Sequence, residues 1–140
     1  MKFPSFYNSN RLINVNLNKY KIDWEKDGAS SLEKRVIKFL NPYWKNFLIL
    51  YQFRIPSTLL RADILNLNSK IYLEVCGQQH LAFKHWFTKN SLNEQLLAHK
   101  RDITKIEYFQ GLNYKIIELY PEDVDKLSIK YIKEKFNVEL

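Results

Sequence analysis

The chain has 140 residues and a formal net charge of +7, from 22 Lys and Arg against 15 Asp and Glu; that is length for one domain with a real core and too little for two ordinary ones. Its 46% hydrophobic and 15% aromatic content excludes a disordered tail. No run reaches the roughly 18 apolar residues of a membrane span, and the single cysteine, Cys76, excludes an internal disulfide and a Cys-rich zinc site. "MKFPSFYNSNR" opens without a continuous apolar h-region, so the expectation is an intracellular protein with no secretory signal. The excess of basic residues favours polyanionic partners, because each phosphate neutralised releases a condensed counterion.

Residues 1–28 are polar, rich in Asn and Lys, and run into "EKDGAS". They read as an N-terminal arm with at most one short element, "LINVNL", and a turn at Asp27-Gly28. Residues 29–140 read as a single domain. Ser30 and Glu33 form an S-x-x-E capping box, which starts a helix through "LEKRVIKFL" that Asn41-Pro42 should stop. Three strand-like runs follow: "FLILYQFRI", "LLRADILNL" and "KIYLEVCG". A long helix is expected from about Leu92 to Gln110, with Ser91 and Glu94 as its capping pair and Gly111 as its stop. "YKIIELY" reads as a strand, and "PEDVDKLSIKYIKEKF" as one helix with Pro at its start and acids in its first turn. The order α-β-β-β-α-β-α gives an α/β fold, a mixed β-sheet core flanked by helices.

Two acids interrupt the strand pattern. If Asn68-Ser69 make a two-residue hairpin turn, Leu67 pairs with Lys70, and the same antiparallel register sets Asp63 opposite Glu74. Side chains so opposed have Cβ atoms about 4.5–5.5 Å apart, and two carboxylates there repel unless a cation lies between them. Period-two alternation puts Tyr72, Glu74, Cys76 and Gln78 on one face and Ile71, Leu73 and Val75 on the other. The apolar face is expected to pack on helices and the acidic face to open to a cleft. Clustered hard oxygen ligands suit Mg²⁺, for which Mn²⁺ can substitute, better than zinc. On a solvated face the same acids would simply pair with Arg61 or Lys70.

The pieces "RADI", "YLEVCGQQH", "DITK" and "YKIIEL" resemble the PD-(D/E)XK nuclease superfamily, in particular its small branch similar to very-short-patch-repair endonucleases. That branch carries R-A-D-F, a spacer, I-E-V-D-G-x-Q-H, a helix with D-x-x-R, and G-Y/W-x-V-L-R-F. The resemblance implies a restriction-endonuclease-like fold and a Mg²⁺-dependent DNA endonuclease of homing or repair type, of phage or organellar origin, acting on duplex or branched DNA as a homo-oligomer. A junction resolvase is a close relative of that reading. By the same resemblance, Asp63 and Glu74 are the metal ligands, and Gln78 and His80 position or deprotonate the water. Glu33 and Asp102 are supporting acids, while Arg61, Lys84, Lys100 and Lys105 contact nucleic acid. The chain departs from the pattern at three places. Cys76 stands where E-x-K has its lysine and also where the small branch often has an aspartate, and Lys105 replaces the arginine after Asp102. A lysine from elsewhere, Lys84, Lys100 or Lys105, could supply the missing charge. The tail "GLNYKIIELYPEDVDKL" also resembles the RAP domain, which implies the rival function: a non-catalytic nucleic-acid-binding module. An assembly protein using its aromatic surface is a third reading.

Single residues have plainer roles beside these. His80 could cap a strand end, Asp102 could pair with Lys105 at i,i+3, and Glu33 could serve only its helix cap. Cys76 reads as a small buried residue. His85 and His99 are weaker candidates. "HLAFKHWFTKN" interleaves aromatic and basic residues in a way that suits unstacked bases, or that simply packs under a loop.

Overall fold

The computed structural model describes residues 1–77 and 89–140, with the side chains of the long helix described at residue 93 and from 96 onward. In chain order its elements are β1 (Lys2–Pro4), β2 (Leu12–Asn14), a 3-10 helix (Leu17–Tyr20), α1 (Ser31–Trp44), β3 (Ile49–Arg54), β4 (Arg61–Asn66), β5 (Ile71–Val75), α2 (Lys89–Gly111), β6 (Lys115–Leu119), α3 (Pro121–Val124) and α4 (Ile129–Phe136). The expected mixed sheet is present. Four strands lie in the order β3-β4-β5-β6, with β4 antiparallel to both β3 and β5 and β6 parallel to β5. A parallel neighbour cannot be reached by a hairpin, and the stretch of chain that contains α2 makes the crossing.

Both faces of this sheet are consequently covered. On one, Val36, Ile37, Leu40 and Trp44 of α1 pack with Ile64, Leu73, Ile117 and Leu119, and Ile132 of α4 joins them. On the other, Phe109 of α2 lies among Leu50, Phe53, Leu65 and Tyr72, its ring centroid 4.8 Å from that of Tyr72 and 5.3 Å from that of Tyr114. At Glu74 and Cys76 the acidic face is therefore covered rather than open as the alternation alone suggests. Helix α2 lies across it, and Glu74 and Cys76 are only 6% and 3% exposed.

Three elements depart from expectation, each for an identifiable physical reason. Residues 1–28 carry two paired strands and a 3-10 helix where at most one short element was expected. Phe3, an apolar residue in a polar stretch, is buried against Phe53, and the Tyr108 hydroxyl donates to the Pro4 carbonyl at 2.7 Å. Helix α1 begins as expected, the Ser30 hydroxyl accepting the Glu33 N–H at 3.1 Å, but runs through Pro42 to Trp44. An interior proline costs about 3 kcal/mol; burying the whole Trp44 ring, 0% exposed, opposes that cost. The last helical run splits in two, because Ser128 caps a new helix by accepting the Tyr131 N–H at 3.0 Å.

Candidate functional site

The hairpin of β4 and β5 pairs Ile64 with Leu73, Leu65 with Tyr72 and Asn66 with Ile71. One step further, the same register brings Asp63 opposite Glu74, as the alternation predicts. The turn itself spans Leu67 to Lys70 rather than two residues, and Lys70 takes a left-handed φ of 53°. Past Ile64 the backbone ladder gives way to side chains. The Cys76 N–H donates to the Leu119 carbonyl of β6 at 2.7 Å, so the preceding amide, Val75, points toward β4, where Asp63 Oδ2 accepts it at 2.8 Å. In return Glu74 Oε2 lies 3.4 Å from the Asp63 N–H. The two carboxylates thus close the splay between β4 and β5.

Lys105 of α2 completes this centre. Its ammonium is 2.6 Å from Glu74 Oε1, 3.4 Å from Asp102 Oδ1 and 3.2 Å from the Arg61 carbonyl, and the residue is only 8% exposed. The Tyr72 hydroxyl donates to Glu74 Oε2. Burial, reinforced by the charge of Asp63, pushes the Glu74 carboxyl up to about 7 against the opposing pull of Lys105. Burial also raises Asp63, with Glu33 adding to the rise while the Val75 amide and Lys105 oppose it. Burial alone would lower Lys105, but Glu74, then Asp102 and Asp63, outweigh it and hold the ammonium charged. The centre is short of positive charge, because one buried ammonium faces several acids.

Glu33 serves more than its cap. It is 9% exposed, and its Oε1 accepts the Tyr51 hydroxyl at 3.0 Å, whose oxygen in turn accepts the Ala29 N–H at 3.1 Å. Asp102 has the i,i+3 pairing with Lys105 that its spacing suggests. Cys76 is buried, and burial followed by the surrounding carboxylates pushes its thiol up, which suits packing rather than nucleophilic attack. Arg61 and Lys100 are exposed. Gln78, His80, Lys84 and His85 lie outside the described residues.

Sequence reasoning missed Gln52. Its side-chain amide donates to Asp63 Oδ1 at 3.0 Å, from a backbone φ of 52° in the middle of β3. A non-glycine residue in that region is strained, and such strain persists where the surroundings over-determine it. The sequence carries only a faint signal of it: Gln52 and Arg54 are polar residues within the otherwise apolar run "FLILYQFRI".

Among the described residues no group of three or more His, Cys, Asp or Glu is arranged to hold a metal ion. Mg²⁺ asks for less, keeping several waters and taking one or two carboxylates. The paired hard oxygens of Asp63 and Glu74, in a buried site where ionising both is costly, suit it in that mode. Among the described residues no helix is long and apolar enough to cross a membrane. Comparison of the chain with protein-family models, with curated proteins and with solved structures finds no match.

Proposed function

We propose that the chain is a restriction-endonuclease-like, PD-(D/E)XK-type nuclease that hydrolyses DNA phosphodiesters with Mg²⁺. The observation that carries the reading is the opposed pair of half-buried Asp63 and buried Glu74, with the Lys105 ammonium 2.6 Å from Glu74 Oε1. An ammonium beside two acids is what the missing E-x-K lysine would have provided, supplied here from a helix. Asp63 and Glu74 would hold the ion, and Glu33 and Asp102 add negative charge around them. When bound, Mg²⁺ would supply Lewis acidity to a phosphoryl oxygen and to a water. Lys105 offsets the charge that builds on the phosphate oxygens as water adds to phosphorus and one ester oxygen departs. Gln52 fixes the rotamer of Asp63, and Gln78 and His80 orient the water or take its proton.

The second reading is the non-catalytic nucleic-acid-binding module of RAP type. It draws on the hydrogen bonds of the same pair: Asp63 Oδ1 and Oδ2 accept from Gln52 and Val75, and both oxygens of Glu74 are engaged by Lys105 and Tyr72. A Mg²⁺-dependent cleavage assay on supercoiled plasmid, linear duplex and branched DNA separates the two. Cleavage that disappears in Asp63→Ala and in Glu74→Ala is expected. Activity surviving both substitutions overturns the site, and salt-sensitive binding without cleavage of any substrate favours the module.

A further inference from the structure

Beside the acidic centre lies a groove whose walls are basic. Lys19 and Lys21 come from the 3-10 helix and its exit, Arg54 from the end of β3 and Arg61 from the start of β4, and Tyr51 and Gln52 line it between them. The Lys21 segment is held there by its bridge to Leu50 of β3. Arg54 is fixed by its Nε, which donates to the Thr58 carbonyl at 2.5 Å. Gln52 joins groove to centre, since the same side chain bonds Asp63.

The strand register adds an independent observation. Arg54 and Arg61 are direct partners across β3 and β4, and all four basic residues are exposed. Like charges directly opposite one another destabilise a sheet, so this pairing is a cost that an anion lying over it would relieve. Two acids, Asp23 and Asp27, also line the groove. Their oxygens serve the local turn: Asp23 Oδ1 accepts the Glu25 and Lys26 amides, and Asp27 Oδ2 accepts the Asp23 amide at 2.7 Å. Four basic side chains against two acids leave the groove positive.

We propose that this groove seats the sugar-phosphate backbone of the DNA, Arg54 and Arg61 gripping one phosphate between them and Lys19 and Lys21 the flanking ones, and so delivers the strand past Gln52 to Asp63. This rests on the nuclease reading for its substrate, but it concerns binding and is tested without cleavage. Guanidinium groups offer a forked donor set that matches phosphate, and Lys and Arg contacts to phosphates make affinity salt-dependent.

The test is fluorescence anisotropy with a short labelled DNA duplex and its single strand, across a KCl series without divalent ions. The full-length chain is compared with Lys19→Ala/Lys21→Ala and with a control of equal charge loss, Lys126→Ala/Lys130→Ala, whose lysines are exposed and do not line the groove. Removing two phosphate contacts should reduce the slope of log affinity against log salt by about 1.8 on duplex or about 1.4 on single strand, the control leaving it unchanged. Equal effects of the two double variants, or none from Lys19→Ala/Lys21→Ala, overturn the groove while leaving cleavage untouched. A selective loss of slope in a protein that cuts nothing supports the groove and removes the nuclease. Absence of any binding by the parent chain overturns the groove outright.

Discussion

Glu74 links the chemistry of the site to the stability of the fold. Its carboxyl is raised from an ordinary 4.5 to about 7, first by burial and then by Asp63. Between those values the native state keeps a proton that the unfolded state has lost. The native state therefore binds more protons, and stability falls as pH rises through the window. At roughly 1.4 kcal/mol per pH unit, the change is about 3 kcal/mol, a large share of the 5–15 kcal/mol typical of a domain. Asp63 is raised as well and acts in the same direction. The groups shifted the other way act elsewhere. Asp123, held low by the Lys135 and Tyr131 donors despite its burial, loses its contribution only below its ordinary 3.8, and the raised Lys105 loses its own above 10.5. Urea unfolding followed by tryptophan fluorescence, with Trp44 buried in the core, should give a lower midpoint at pH 7.5 than at pH 5. Glu74→Gln should flatten the profile. MgCl₂ should restore stability at the alkaline end, by about 2.7 kcal/mol at a hundredfold excess over its dissociation constant. A parent profile that is level or rises across this window refutes the account of Glu74, and an alkaline end indifferent to Mg²⁺ refutes the cation.

Lys105→Met removes the one cation that contacts Glu74 among the described residues, so the pH at which stability is lost should move above about 7, and cleavage should fall on the order of a hundredfold or more; pH-resolved unfolding and plasmid nicking read the two effects. Phe109→Ala empties the middle of the aromatic cluster that holds α2 to the sheet. It should cost about 3–5 kcal/mol in urea unfolding.

The β4–β5 hairpin was legible because its information is local. Alternation in "RADILNL" and "KIYLEV" and a short polar turn fix which residues face each other, and a slip of one residue would turn Ile64 and Leu73 out of the core. The caps at Ser30 and the proline at the start of α3 were legible for the same reason. What the sequence did not reveal depends on contacts between distant residues. Lys105 was one of three lysines that could supply the missing charge, but nothing near it singles it out as the one whose ammonium reaches Glu74, 31 positions away, and Gln52 owes its strained backbone to the sheet around Asp63. Pro42 reads as a stop until the burial of Trp44 is known. The arm looks detached because Phe3 finds its partner, Phe53, only after the sheet has formed.

The bond from the Tyr108 hydroxyl to the Pro4 carbonyl joins positions 104 apart. Closing a loop of that size costs about 4 kcal/mol beyond a constant, and contacts so distant along a chain slow folding. On the ribosome this bond cannot form until α2 has emerged, so the first strand, although Phe3 can already meet Phe53 of β3, completes its docking only then. A bulky N-terminal tag would sit where that late docking must occur, and a C-terminal one would spare it.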